Sequence, residues 1–408
     1  MPWRRRAVEQ RLSRMSPPEL ASLLPPPPFV LLEDRTGPAA QAQLYAEPAD
    51  VVCCRRAEDL DAAFAAIAAG QRAGLHAAGF CAYELGYALE PKLAALTPER
   101  MPAPLLWFGL FPPPRTIGGR MLDEVFAATP PAPIDHLRFG HDRETHVRRV
   151  RRVLALIEAG DLYQANLTFP IRFRHAGDPL ALYAALRARQ PVAHGGVVLC
   201  AEGAVLSVSP ELFISVTGGV ATVRPMKGTA ARHAHAAEDD AARAALAADP
   251  KQRAENLMIV DLLRNDLARI SRPGSVRVPA LFDVESYPTF HALTSTVTAE
   301  VLPGVGLRET LAALFPCGSI VGAPKIRAAE VIRTLEPHAR GVYTGAVGAI
   351  APNGDLRFNV AIRTAWIGPD REGVYGVGGG VIADSDPDAE YDEALLKAHV
   401  LKIGRAHV

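Results

Sequence analysis

Leu167, Phe169, Ile171 and Phe173 occupy every second position of YQANLTFPIRF, so one face of the segment is apolar. A period of two is the pattern of a strand with one buried face. The same texture recurs at VVLCAEG, AVLSVSP, LFISVTGG, ATVRP, VYTGAVGAI, LRFNVAIRTAWI and GVYGVGGGVI. Helical patterns fall between these strands, at 236–270, 307–315, 323–336 and 388–401. THVRRVRRVLALIEAGD sets Val147, Val150, Val153, Leu154 and Ile157 on one helical face, with Gly160 suited to a C-terminal cap. Long antiparallel sheets covered by helices predict the α+β class.

Proline marks the boundaries. Residues 1–28 end in PPPP and read as a poorly ordered lead. Residues 29–135, from FVLLEDRTG to the proline-rich TPPAPIDH, read as an amino-terminal subdomain. Residues 136–401 read as the catalytic domain. Met15 is an alternative start. Formal net charge is zero, which argues against nucleic acid or a membrane surface recognised by bulk charge. No apolar run is long enough to span a bilayer, and no apolar core follows the Arg-rich MPWRRRAVEQRLSR as it would in a secretory signal. Cys53, Cys54, Cys81, Cys200 and Cys317 are odd in number and lack zinc-type spacing, so they read as thiols of a reducing cytoplasm.

Of the 44 Lys and Arg residues six are Lys, leaving 38 Arg (44 − 6), yet RPMKGTAAR keeps a lysine. A guanidinium is always charged, whereas a desolvated amine can attack carbon, so Lys227 is a candidate nucleophile. AENLMIVDLLRND places Glu255 and Asp261 on a helix whose Leu257, Val260, Leu263 and Leu267 are expected to face inward. In DSDPDAEYDEALLKA, Asp386 is a candidate N-cap, Pro387 opens the helix, and Glu390, Glu393 and Lys397 share one face. Converging carboxylates without Cys or His suit Mg²⁺; the other reading is a solvated acidic face. FPCGSIVGAPKIRAAEVI and VGGGVI are either places where backbone meets an anion or ordinary tight turns. Arg363 lies among apolar residues in AIRT and needs an anionic partner, from a ligand or from the protein. Tyr343 and His291 sit in strand-like surroundings, as ligand contacts or as core hydrogen-bonding groups. Glu211 in SVSPELF is either a buried general acid or an N-terminal turn carboxylate. These residues alone predict an enzyme for an anionic small molecule.

Taken in order, GDLYQANLT, SVSPELF, RPMKGTAAR, AENLMIVDLLRNDLARI, FPCGSIVGAPKIRAAEVI, RGVYTGAVGAI, FNVAIRT and GGGVIADSDPDAEYDEALLKA resemble the chorismate-utilising enzymes. That family includes anthranilate, aminodeoxychorismate, isochorismate and salicylate synthases. The resemblance covers roughly residues 140–400; FVLLEDRTG and GFCAYELGYALEP match the family's first subdomain more loosely. It implies that Glu255, Glu390 and Glu393 hold Mg²⁺ against the ring carboxylate of chorismate. It implies that Tyr343, Arg363 and the backbone of Gly378, Gly379 and Gly380 hold the enolpyruvyl carboxylate. Ser319, Lys397, His291 and Gln164 are implied to line the ligand, with Glu211 as the acid that helps the 4-hydroxyl leave. The family often has an acidic residue where this chain has Gln252, which puts that outer metal contact in doubt. Water-using members carry a lysine base at the position of Gln164, so the resemblance disfavours them. Anthranilate synthases typically have alanine at the position of Lys227, whereas PMKGT resembles the aminodeoxychorismate synthase form. There the lysine is thought to attack C2 of chorismate before ammonia attacks C4. That form implies a glutamine amidotransferase subunit as partner, and a fused or separate lyase that releases p-aminobenzoate. The closing KIGRAHV reads as a translated sequencing adapter, so the expectation is that residues 402–408 are an artefact or a truncated end.

Overall fold

The computed structural model describes residues 23–36, 40–130, 133–287 and 290–401. Most of the expected lead and all of the KIGRAHV end fall outside the described residues. The class is α+β: two ten-stranded antiparallel sheets carry helices on their outer faces. In the first sheet the order is Gly322–Ala323, Gln164–His175, Glu372–Val381, Thr364–Ile367, Gly203–Ser209, His194–Cys200, Phe29–Asp34, Gln41–Ala46 and Arg115–Gly118, with Ile134–Phe139 also paired to Gln164–His175. The second runs Met226–Ala231, Phe290–Glu300, Val220–Arg224, Leu212–Thr217, Leu356–Val360, Ala346–Ile350, His76–Cys81, Leu106–Phe111 and Asp50–Cys54, with Arg277–Ser286 also paired to Phe290–Glu300. Strands from the expected 29–135 subdomain therefore enter both sheets.

Strand alternation sorts the side chains into three cores. Val30, Val198, Val205 and Trp366 of the first sheet meet Phe80, Trp107 and Val347 of the second in an inter-sheet layer. Phe29, Leu31, Leu206, Phe169, Ile171 and Phe173 point the other way, towards Leu182, Leu186 and Ala394 on outer helices. Phe108, Leu110, Ile214 and Phe358 back the second sheet and pack with Phe64, Ile259, Leu263 and Leu311. A clean period of two is what lets one strand serve two layers.

The helical expectation at 236–270 resolves into two helices, Ala236–Ala248 and Pro250–Ala268. Asp249 separates them; its carboxylate accepts from Lys251 N and Gln252 N, and Pro250 fixes the first turn. On the second helix Val260, Leu263 and Leu267 are buried, but Leu257 is 50% exposed. The buried stripe passes instead through Asn256, Ile259, Val260, Leu263, Asp266 and Leu267, and Leu257 lies beside it. Asp386 caps Pro387–Ala398 as expected, accepting from Asp388 N and Ala389 N. Among the described residues, no helix is long and apolar enough to cross a membrane.

Candidate active site

The site forms where the second sheet reaches across to the first. Glu372–Val381 pairs along its whole length with Gln164–His175, which sets Gly378 opposite Thr168, Gly379 opposite Leu167 and Gly380 opposite Asn166. The three glycines face different neighbours. A Cβ on Gly378 would lie 2.2 Å from Leu167 O, so this glycine permits close strand approach. A Cβ on Gly379 would meet Glu390 Oε2 at 2.9 Å, Lys397 Nζ at 3.7 Å and Glu393 Oε1 at 3.8 Å. A Cβ on Gly380 would meet Gln164 Nε2 at 2.8 Å and Lys227 Nζ at 3.1 Å. Bare backbone thus sits beside the candidate nucleophile and the candidate carboxylates at once.

Lys227 comes from Met226–Ala231, the end strand of the second sheet. Gly228 follows it with φ of +89°, and a Cβ there would lie 2.8 Å from Gln252 Oε1. This glycine lets the lysine strand press onto the helix that carries Glu255. The Lys227 amine is half-buried and makes no ion pair or hydrogen bond among the described residues. Gln164 is fully buried, and neither its Oε1 nor its Nε2 has a partner. A buried, unsatisfied amide costs about 1–3 kcal/mol; Gln164 thus keeps a donor and an acceptor free for a ligand.

Glu211 is buried, and Ser319 Oγ donates to its Oε1 at 2.7 Å. Burial pushes its carboxyl up to about 7, against the pull of the Ser319 hydroxyl and the Lys227 charge. An acid of that strength holds a proton it can give near neutrality. Tyr343 and Arg363 mark another wall. Both occupy tight turns: Thr344 has φ of +59° and Arg363 of +52°. A Cβ on Gly376 would run into the Tyr343 ring at 2.0 Å, so that ring lies flat on the glycine strand. The positive charge of Arg363 acts on the hydroxyls of both Tyr343 and Tyr375.

Glu255, Glu390 and Glu393 come together from two helices. Burial raises the carboxyl of Glu390, which Ser385 opposes with a 2.6 Å hydrogen bond and which Glu393 and Glu255 reinforce. Burial also raises Glu255; Lys227 opposes the shift and Glu393 adds to it. Glu393 is itself held below the usual range despite burial, because Lys397 Nζ lies 2.7 Å from it. Three oxygen-only groups, two of them raised by burial and by a neighbouring carboxylate, suit a hard cation in kind. Among the described residues, however, no three such side chains are gathered tightly enough to cage an ion.

Residues 121–402 match the family of chorismate binding enzymes. The chain belongs to that family. An aminodeoxychorismate synthase component 1 from Klebsiella aerogenes is 42% identical over 265 residues, 64% of this chain and 58% of the relative. An anthranilate synthase component 1 from Haloferax volcanii is 38% identical over 284 residues, 68% of this chain and 54% of the relative. The chain thus spans little more than half the length of these relatives. The anthranilate synthase component I of Streptococcus pneumoniae has the same fold, with a TM-score of 0.76 at 25% identity over 90% of this chain and 93% of its own.

Within this member of the chorismate binding enzyme family, the expected residues separate into two groups. Gln164, Glu211, Lys227, Glu255, Ser319, Tyr343, Arg363, Gly378, Gly379, Gly380, Glu390, Glu393 and Lys397 converge around the glycine strand. Lys397 also donates to Gly378 O at 2.8 Å. His291 is engaged elsewhere: its Nδ1 lies 2.8 Å from Ser286 Oγ and its Nε2 3.0 Å from Asp239 Oδ1. Both ring nitrogens are spent on protein, so His291 braces the sheet edge. In GSIVGAP, Gly322 lets the strand approach Gln164, since a Cβ there would lie 2.2 Å from Gln164 O. Sequence reading missed Gly376, Tyr375, Ser385, Glu84, Glu336 and Arg340. Glu336 and Arg340 in EPHARG stand four apart at a helix end, a spacing that could have drawn notice.

Proposed function

We propose that the chain is the chorismate-aminating component of an aminodeoxychorismate synthase, joining chorismate and ammonia to give 4-amino-4-deoxychorismate and water. The observation that carries this reading is the Lys227 amine, unpaired and resting over Gly380 beside the buried amide of Gln164. Relatives named for this activity, at about 40% identity, support it.

In this reading Tyr343, Arg363 and the glycine strand hold the enolpyruvyl carboxylate. Lys227 Nζ, as the neutral amine after its ammonium proton passes to water, adds to C2, the ring double bonds shift and the C4–O bond breaks. Glu211 gives its proton to the departing hydroxyl, which leaves as water. Ammonia adds at C4, the double bonds shift back and the C2–N bond to Lys227 breaks. The carboxylate of Glu211 takes up the proton that the new amine sheds. Occupation of C2 by lysine directs ammonia to C4. Gln164 accepts and donates hydrogen bonds but is no base for water, which keeps hydrolysis out. Glu255, Glu390 and Glu393 are not gathered into a cage by themselves; they would hold Mg²⁺ only together with the ring carboxylate of chorismate, whose charge the ion would offset. We assign the ammonia to a glutamine amidotransferase subunit. We place the enzyme in the cytoplasm, in keeping with five free thiols.

The test is incubation with chorismate, Mg²⁺ and ammonium, with products identified by mass and fluorescence. The expected product is 4-amino-4-deoxychorismate. Anthranilate would overturn the reading, and bound but unconverted chorismate would show a non-catalytic scaffold instead.

A further inference from the structure

Behind the reacting groups lies an ion pair sealed from solvent. The side chains of Glu336 and Arg340 are each 2% exposed, and they meet through Arg340 Nε to Oε2 and Nη2 to Oε1, both 2.8 Å. Arg340 also donates from Nη1 to Ile320 O at 3.0 Å and from Nη2 to Asn166 O at 2.6 Å. Glu336 Oε1 accepts from both Thr168 N and Thr168 Oγ1, at 2.8 and 3.0 Å. Ile320 follows Ser319, and Asn166 stands two residues from Gln164. The pair therefore clamps two walls of the site from the rear.

A second buried carboxylate enters from the amino-terminal segment. Glu84 is 1% exposed. Its Oε1 accepts from Arg340 N at 2.6 Å, and its Oε2 from Gly341 N at 3.1 Å. Tyr83 N donates back to Gly341 O at 2.8 Å. Gly341 has φ of +63° and opens the turn that carries Tyr343 and Thr344. Thr344 N donates to Ala361 O, and Ala361 N to Gly345 O, each at 2.9 Å. That second link holds the turn of Arg363, whose own φ is +52°. One carboxylate thus ends a chain of hydrogen bonds that runs through both turns.

A buried charge is a poor way to gain stability alone, since apolar residues of similar volume often do as well. What a carboxylate does better is fix two backbone N–H groups in a turn that would otherwise relax. We propose that Glu84 is a positioning residue: through the Gly341–Thr344 turn it aims Tyr343 and Arg363 at the substrate carboxylate. The proposal rests on the reading that these two side chains bind that carboxylate.

The experiment compares Glu84→Gln with wild type, alone and in a Tyr343→Phe background. The carboxamide keeps the volume but loses one acceptor. KM for chorismate should rise about tenfold, the scale of one charge-assisted hydrogen bond, with kcat within about twofold. In the Tyr343→Phe background the added rise should shrink below about threefold, because the two changes act on one contact. Amide hydrogen exchange at Gly341–Thr344 should quicken, while Pro387–Ala398 exchanges as in wild type. Glu84→Asp keeps the charge but withdraws it by one methylene, and should show the same split at smaller size even if Glu84→Gln folds poorly. An equal rise in KM in both backgrounds, or a fall in kcat alone, would overturn the proposal. Unchanged exchange at Gly341–Thr344 would also overturn it, and that measurement needs no substrate. Wild-type protein that leaves chorismate untouched would sink the functional reading instead.

Discussion

At Lys227 the proposed reaction turns on one amine, and its neighbours define the test. The residue lies 3.1 Å from the position a Gly380 side chain would take, and its charge acts on Glu211, Glu255 and Glu393. Lys227→Ala should still bind chorismate, as read by calorimetry, but should lose the 4-amino product; unchanged product would remove the lysine from the mechanism. In the proposed reaction Glu211 would set the alkaline limb of the rate. Its carboxyl titrates near 7, so kcat should fall as pH rises through that value and the proton is lost. Glu211→Gln should be slower by about a hundredfold and show no such limb. Much of this was legible in the residues. A lysine in an arginine-rich chain, and a glutamate between apolar neighbours, both marked themselves. Glu84 did not, because its partners are Arg340 and Gly341, 256 and 257 residues away. The partner of His291 was hidden for the same reason: Asp239, which its Nε2 meets, is 52 residues off, on a helix.

The glycine strand shows the same limit at the level of an element. Its period of two gave the strand, but register against Gln164–His175 depends on a partner some two hundred residues earlier. Only that register reveals that Gly378 and Gly380 do unlike jobs. Gly378→Ala would drive a methyl into Leu167 O at 2.2 Å, against backbone that cannot step aside. It should lower Tm by several degrees, consistent with an overpacking cost of about 1–3 kcal/mol. Gly380→Ala meets only the ends of two side chains, Gln164 and Lys227. It should leave Tm nearly intact yet cut activity about a hundredfold, the scale expected when a reacting group is displaced by about 1 Å. Equal loss of Tm in the two variants, measured by calorimetry, would contradict this division. The helix break at Asp249–Pro250 was passed over in the 236–270 expectation, although Asp before Pro is a start signal that needs no tertiary contact.

Across the whole molecule, buried titratable groups oppose one another. Glu84 and Glu211 are both raised from 4.5 to about 7 by burial, so the folded chain keeps protons that the unfolded chain releases. Their contribution is present at low pH and lost as pH rises to about 7. His141, His146 and His194 are pushed down, to about 3, 4 and 3, chiefly by burial, so the unfolded chain gains protons first as pH drops below 6.5. Stability from these histidines is lost on the acid side. Tm should therefore pass through a maximum near 6.5, and Glu211→Gln should flatten the decline above it, as followed by calorimetry across pH. The α+β class and most elements were legible from periodicity. The weaving of residues 29–135 into both sheets was not, because strand order is set by long-range pairing.

The amine of Lys227 belongs to one sheet, and the glycine strand it meets belongs to the other. Beside that meeting point Ala165, Leu167 and Val381 of one sheet share a core with Val223 and Val297 of the other, so the spacing follows how those side chains pack. Hydrostatic pressure acts on packing volume of this kind. Turnover should accordingly respond to compression well before the chain unfolds, which makes the enzyme a gauge of its own interior.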